Sequence, residues 1–228
     1  MSNIFFTSDT HYGHKNIVKG TTSWESFKEG SSHQGVRGFD TMEEHNQTLV
    51  DNFNQLVKED DILYHLGDWS FGGHQNIEIF RNQLKCKNIH LIFGNHDQHI
   101  EPIDSSYRKL FSSVQHYKEL SLKIPTNRSG KFGKTKFILS HYAMRVWNQS
   151  HHSSIMLYGH SHGTLDEMKP TFANPTWIGD NYFIKNYKTM DVGVDTNNLF
   201  PYHLDEILEI MKNKDTLLEI DHHNLNTN

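Results

Sequence analysis

Five short apolar runs, each breaking off into a group of metal-ligating or acid/base side chains, constrain this chain more than any other feature. Ile4-Phe5-Phe6 leads to Asp9-Thr10-His11, and Ile62-Leu63-Tyr64 leads to Gly67-Asp68. Ile89 to Phe93 ends at Gly94-Asn95-His96-Asp97, Phe137-Ile138-Leu139 at Ser140-His141, and Ile155 to Tyr158 at Gly159-His160-Ser161-His162. Short, nearly continuous apolar runs bounded by Gly or polar residues read as buried strands of an α/β sheet. Ligands of such folds sit in the crevice beyond the carboxyl ends of the strands. The five groups, scattered from residue 9 to residue 162, are therefore expected to converge on one edge. A single Asp-x-His would mean little, but five ligand groups at strand ends are hard to obtain by accident.

Whole-chain properties exclude several classes. With 228 residues the chain is long enough to bury a sizeable core and is read as one domain, 1–228. A net charge of -5 argues against a broad basic surface of the kind that grips nucleic acid. Cys86 stands alone, so no intrachain disulfide framework exists and a reducing compartment fits. The N-terminus enters a strand without a signal-like segment, and no run reaches the ~20 apolar residues of a membrane helix. The expectation is a soluble, cytoplasmic protein with no membrane partner. Of the eighteen histidines, those in polar segments, such as His33, His45, His74 and His116, are read as solvated. Asp221-His222-His223 lies in a polar tail, 215–228, with no strand before it, and is read as coincidence.

Between the strands, Tyr12 to Val18 reads as a turn and short helix, and 19–40 as a long active-site loop without periodicity. Thr41 and Glu44 have capping-box spacing. Met42, Leu49, Phe53, Leu56 and Val57 then supply the stripe of a helix of about four turns. A second helix is expected over His74 to Leu84. Strands are expected over Val114 to Ile124 and Lys134 to Leu139, joined by a turn at 126–130. Further strand character lies at Phe183 to Val194, and a late helix carries Leu204, Ile207, Leu208 and Met211.

Aspartates, histidines and an asparagine gathered at one edge suit two divalent ions about 3.5–4 Å apart, holding a hydroxide and neutralising phosphoryl oxygens. No Cys enters the groups, which disfavours a structural zinc site. The order Asp9-x-His11, Gly67-Asp68, Gly94-Asn95-His96-Asp97, His141, Gly159-His160-x-His162 resembles the calcineurin-like metallophosphoesterase superfamily. The runs Asp9 to Asn16 and His141 to Trp147 resemble a small subgroup found in bacteria and their phages.

The resemblance implies a four-layer α/β/β/α sandwich of two mixed sheets flanked by helices. It implies one metal held by Asp9, His11 and His162, another by Asn95, His141 and His160, and Asp68 bridging them. Mn is the first choice of ion, with Fe, Zn, Ni or Co also fitting. A bridging hydroxide would attack phosphorus and His96 would protonate the leaving oxygen. Asp97 would polarise the His96 imidazole, or stabilise the turn at Gly94. His14, Arg145 and Arg37 are candidate substrate contacts, with helix capping for His14 and a solvated side chain for Arg145 as the bland alternatives. Trp69 and Trp147 read as packing groups.

Protein serine/threonine phosphatases of this superfamily carry Asp-Arg-Gly after Gly-Asp and Glu after Asn-His. Here Trp69-Ser70-Phe71-Gly72 and Asp97 stand there, which disfavours that activity. With no separate cap domain, the 19–40 and 142–153 loops are expected to roof the site. The expected function is a phosphodiesterase or nucleotide-directed phosphoesterase, with a small phosphoester or nucleotide as partner. A metal-dependent nuclease tracking a backbone along Lys131, Lys134 and Lys136 is the rival. A catalytically inactive metal-binding scaffold is the rival of a different class.

Overall fold

A computed structural model describes residues 2–18, 37–125, 132–167 and 187–214. The strands among them are, in chain order, β1 (Ile4–Thr7), β2 (Ile62–His65), β3 (Asn88–Ile92), β4 (Ser113–Gln115), β5 (Tyr117–Pro125), β6 (Phe132–Ser140), β7 (Ile155–Tyr158), β8 (Thr189–Asp191) and β9 (Tyr202–His203). One sheet has the order β4-β3-β2-β1-β9, the other β5-β6-β7-β8. In the first, β1 to β4 run parallel and β9 antiparallel. In the second, β5 is antiparallel to β6, while β6, β7 and β8 are parallel. Both sheets are therefore mixed, as expected.

Period-2 alternation of side chains builds the layers. Phe5, Leu63, Ile89 and Leu91 face outward under the helices, together with Trp69 and Phe80. Their neighbours Phe6, Tyr64 and Ile92 face inward and meet Phe137, Leu139, Ile155 and Leu157 of the second sheet. Ile138, Met156 and Tyr158 face the far side, where Trp147 covers them. Three apolar layers thus separate four structural ones, and every strand of the centre is buried on both faces.

Parallel neighbours need crossovers, and helices supply them. After the short α1 (Lys15–Val18), α2 (Met42–Leu56) links β1 to β2, and α3 (Gln75–Gln83) links β2 to β3. The Thr41 hydroxyl accepts the Glu44 N–H at 3.1 Å and starts α2. The Glu44 carboxylate reaches back one residue further than a capping box, to the Asp40 N–H at 3.3 Å. Further on lie α4 (Thr164–Glu167) and α5 (Leu204–Lys212), whose Ile207 and Met211 enter the inter-sheet core.

Three sequence expectations need correction. Val114 to Ile124 is two strands: the chain leaves the first sheet after Gln115 and enters the second at Tyr117. Strand-type residues on both sides of His116 give no local signal of that change. On α2, Leu56 is exposed, whereas His45 is fully buried. His45 lies four residues before Leu49 and eight before Phe53, on the face that packs, so its polar neighbours in sequence misled. Burial and the neighbouring Arg37 lower its pKa to about 3. Finally, the strand near 183–194 spans only Thr189–Asp191 among the described residues. Residues 19–36, the 126–130 turn with Lys131, 183–186 and the 215–228 tail lie outside the described residues. No described helix is long and apolar enough to cross a membrane.

Candidate metal centre

The ligand groups follow the carboxyl ends of β1, β2, β3, β6 and β7, and the two sheets are joined there. Ser8 Oγ donates to the Leu66 carbonyl at 3.0 Å within the first sheet, the Gly159 N–H to the His141 carbonyl at 2.9 Å within the second, and the Val194 N–H crosses between them to the Ser8 carbonyl at 3.0 Å. Two ligand triads result, one of Asp9, His11 and His162, the other of Asp68, His141 and His160; within each, ligand atoms lie within 4.8 Å of one another. Each triad takes residues from both sheets.

Close approach of backbones requires glycine at two of these turns. A Cβ on Gly94 would lie 2.3 Å from Asp68 Oδ1, and one on Gly159 would lie 2.0 Å from Ser8 Oγ and 2.6 Å from Asp9 Oδ2. Asp9, His11, Asp68, His160 and His162 all adopt positive φ, between 45° and 65°. Non-glycine residues pay steric strain in that region, and it persists only where the surroundings over-determine it. Five strained residues among the seven expected ligands identify this as a built site.

Hydrogen bonds orient the donors. His141 Nδ1 donates to the Leu66 carbonyl at 2.8 Å, which leaves Nε2 as the ligand atom. Asn95 Oδ1 lies 3.0 Å from His141 Nε2 and 3.0 Å from His160 Nδ1, so it joins the second triad. Asp68 Oδ1 accepts the His96 N–H at 2.9 Å, and both Asp9 oxygens accept the His160 N–H. Burial pushes Asp9 up to about 8, with Asp191 and Asp68 adding to the rise and His162 opposing it. Burial also lowers His11 well below the usual histidine range, with His162 and Arg37 adding to it, which keeps its imidazole a neutral donor. Clustered carboxyl and imidazole donors suit a borderline divalent cation, and no thiolate competes.

One contributor escaped the sequence reading. Asp195 Oδ2 lies 2.6 Å from His162 Nδ1, fixing that ring so that Nε2 faces the triad. Asp195 in turn holds Arg37 through Nε and Nη2, both at 2.8 Å. Burial opposes the ionisation of Asp195, but Arg37 and His162 outweigh it and hold the carboxyl well below the usual range. On His162 burial lowers the pKa, yet Asp195 and Asp9 leave it raised. The signal was present: Asp195 follows the Thr189–Asp191 strand just as the other ligands follow theirs.

The remaining expected residues have definite places. Asp97 does not bond the His96 imidazole. Its Oδ2 accepts the N–H groups of Gly94 and Asp68, at 2.8 and 2.9 Å, and its Oδ1 accepts that of Trp69 at 3.0 Å. It therefore pins the β2 and β3 loops together, the turn-stabilising alternative. Arg37 is likewise removed from substrate: its side chain is 3% exposed and donates to Asp195 and to the Asp9 and Thr10 carbonyls. His14 Nδ1 accepts the Ile17 N–H at 3.0 Å and so caps α1, while its half-buried ring stands 5.5 Å from that of His11. Arg145 is exposed and does not line the cleft of about 480 Å³ formed by His11, Asp68, Asn95, His96, His160 and His162. Tyr142, half exposed, borders the second triad with its ring 4.7 Å from that of His160. Trp69 and Trp147 are buried, each donating its indole N–H to a carbonyl.

Two mixed sheets with a ligand-rich edge between them define a metal-dependent phosphoester hydrolase of the calcineurin-like class. The chain belongs to that family: the calcineurin-like phosphoesterase superfamily domain matches residues 3–192. It is 27% identical over 215 residues to the uncharacterized protein MJ1445 of Methanocaldococcus jannaschii, covering 93% of each chain. It is also 25% identical over 194 residues to the Gene 66 protein of Mycobacterium phage D29, covering 78% of this chain and 86% of the phage protein. That similarity fits the small bacterial and phage subgroup. A crystal structure of the Aquifex aeolicus protein of unknown function AQ665 shares the fold, with a TM-score of 0.54 and 20% identity, covering 92% of this chain and 100% of the other.

Proposed function

We propose that this chain is a dinuclear metal-dependent hydrolase of phosphodiesters or nucleotide phosphoesters. One observation carries the dinuclear reading. Asp68 Oδ2 lies 3.5 Å from His11 Nε2 and 3.6 Å from His141 Nε2, one donor from each triad, where a carboxylate can bridge two ions. Asp9, His11 and His162 would hold one ion, Asn95, His141 and His160 the other, with Mn the first choice. When bound, the ions supply Lewis acidity toward phosphoryl oxygens and make hydroxide available near neutral pH. His96 stands at the rim of the cleft without a ligand role and is the acid. As oxygen from water bonds to phosphorus and the P–O bond to the leaving group breaks, His96 gives its proton to the leaving oxygen. The proton released from the attacking water restores it.

An open cleft suits a small phosphoester or nucleotide. Lys136 pairs with Glu119 at 2.7 Å, which weakens the case for a nucleic-acid backbone track along that strand.

The test is hydrolysis of a chromogenic phosphodiester and a phosphomonoester by metal-stripped protein, with and without Mn²⁺. Asp68→Ala serves as control and is expected to lose metal and activity together. Mn²⁺-dependent turnover supports the hydrolase, and the preferred ester chooses between diesterase and monoesterase. Stoichiometric metal binding with no turnover by any divalent ion would instead favour the inactive scaffold.

A further inference from the structure

His96 borders two cavities. One is the ligand cleft. The other, of about 180 Å³, contains none of the metal ligands and lies between Phe71, Gly73 and His74 on the loop after β2 and Gln98 and His99 on the loop after β3. Roughly 150 Å³ is enough to admit benzene in an engineered protein cavity, so this space takes a ring.

Phe71 is fixed in that wall. Its N–H donates to the Tyr12 carbonyl at 2.8 Å and its carbonyl accepts Asn76 Nδ2 at 2.7 Å. The Tyr12 loop approaches it closely: Gly13 has no room for a Cβ, which would lie 2.8 Å from the Phe71 carbonyl oxygen. Yet the residue is 37% exposed, with its ring edge-on to His96 at a centroid distance of 5.0 Å and to His14 at 4.0 Å, and 6.4 Å from the ring of His11. An exposed apolar side chain is unremarkable by itself. An aromatic ring held by a hydrogen-bonded backbone, beside a ring-sized cavity and a candidate acid, has the chemistry to stack on a flat group.

We infer that this second cavity receives the leaving half of the substrate and that Phe71 determines specificity for a ring-bearing leaving alcohol, aryl or nucleoside. The inference rests on the reading of His96 as the acid. A general acid must reach the leaving oxygen, so the group attached to that oxygen lies beside His96, where Phe71 flanks the same ring. Once the P–O bond has broken and the oxygen has taken the His96 proton, the neutral alcohol remains against Phe71 until it departs. His74 and His99, with ring centroids 5.9 Å apart, offer polar contacts to its edge.

Two measurements test this. In metal-free protein, saturation-transfer NMR with p-nitrophenol as probe should show binding that Phe71→Ala abolishes and Phe71→Tyr retains. With Mn²⁺ bound, methyl p-nitrophenyl phosphate and methyl trifluoroethyl phosphate, which differ only in the leaving alcohol, are compared by ³¹P NMR. Phe71→Ala should lose about tenfold in kcat/KM on the aryl ester, the scale of one aromatic contact, and about twofold or less on the other. Phe71→Tyr should restore the aryl activity. Equal losses on both esters would make Phe71 a support for His96 and overturn the assignment, as would unchanged aryl turnover or absent p-nitrophenol binding. Failure of the wild type to hydrolyse either ester would sink the diesterase reading, while the metal-free binding measurement would still decide the cavity.

Discussion

His96 and Asp97 are neighbours in the chain with separate tasks. Three backbone N–H groups occupy the Asp97 carboxylate, so the acid role proposed for His96 draws no support from Asp97. His96→Ala should therefore retain its metals, measured by elemental analysis, yet turn over more slowly. The deficit should be smallest for esters with good leaving groups, where protonation matters least. Loss of metal in that variant would show His96 to be a ligand. Asp195 holds the His162 ring, and a carboxylate behind a ligating histidine typically changes metal affinity by about 10–100-fold when replaced. Asp195→Asn should weaken metal binding on that scale in calorimetric titration, while Asp97→Asn acts chiefly on stability. Asp195 is also the residue whose role a linear reading could have reached, because it follows a strand end as the ligands do. The exclusion of Arg37 from substrate was not legible, since its carboxylate partner lies 158 residues away.

At the scale of elements, strand ends and turns do the positioning. The five apolar runs became β1, β2, β3, β6 and β7, and the expected helices formed near their expected bounds, because an apolar run and a helical stripe are both local properties of the chain. The strand change at His116 and the burial of His45 were illegible for the converse reason: each depends on which sheet face lies opposite. The turns themselves carry a testable constraint. Gly159→Ala keeps every ligand but drives a methyl group into Ser8 and Asp9. It should lower metal affinity at least about tenfold, with the far-UV spectrum unchanged; wild-type affinity would show that the β1 and β7 turns can separate freely. Thr41→Ala, by contrast, removes only a helix cap and should cost about 1 kcal/mol in urea unfolding without touching metal binding.

For the whole molecule, the ligands join the sheets. Each triad draws on both, so bound metal links the two halves of the sandwich and stabilises the folded state by mass action. Saturating Mn²⁺ should raise the thermal midpoint of the metal-free protein, and Asp68→Ala should abolish that rise. Acid should act in the opposite direction. His65 is fully buried: its Nδ1 accepts the Gly67 N–H at 3.3 Å and its Nε2 meets Thr10 Oγ1 at 2.8 Å, a network that assigns it one neutral tautomer. Burial, with His141 adding to it, lowers its pKa to about 3, against 6.5 for the free side chain. The unfolded chain therefore takes up this proton first, and stability falls as pH drops from about 6.5 toward 3, at up to about 1.4 kcal/mol per pH unit. Urea midpoints of metal-free His65→Asn should show a shallower decline over that window than wild type; parallel declines would refute the assignment.

Strand ends, ligand types and the family they resemble were written in the sequence, because a short apolar run marks a buried strand by itself and a parallel sheet delivers its carboxyl ends to one edge. Which carboxylate serves a histidine, which arginine is locked away and where a second cavity opens beside His96 were decided only by the tertiary structure. Those properties belong to loops from different strands meeting in space, and no spacing along the chain encodes the distance between them.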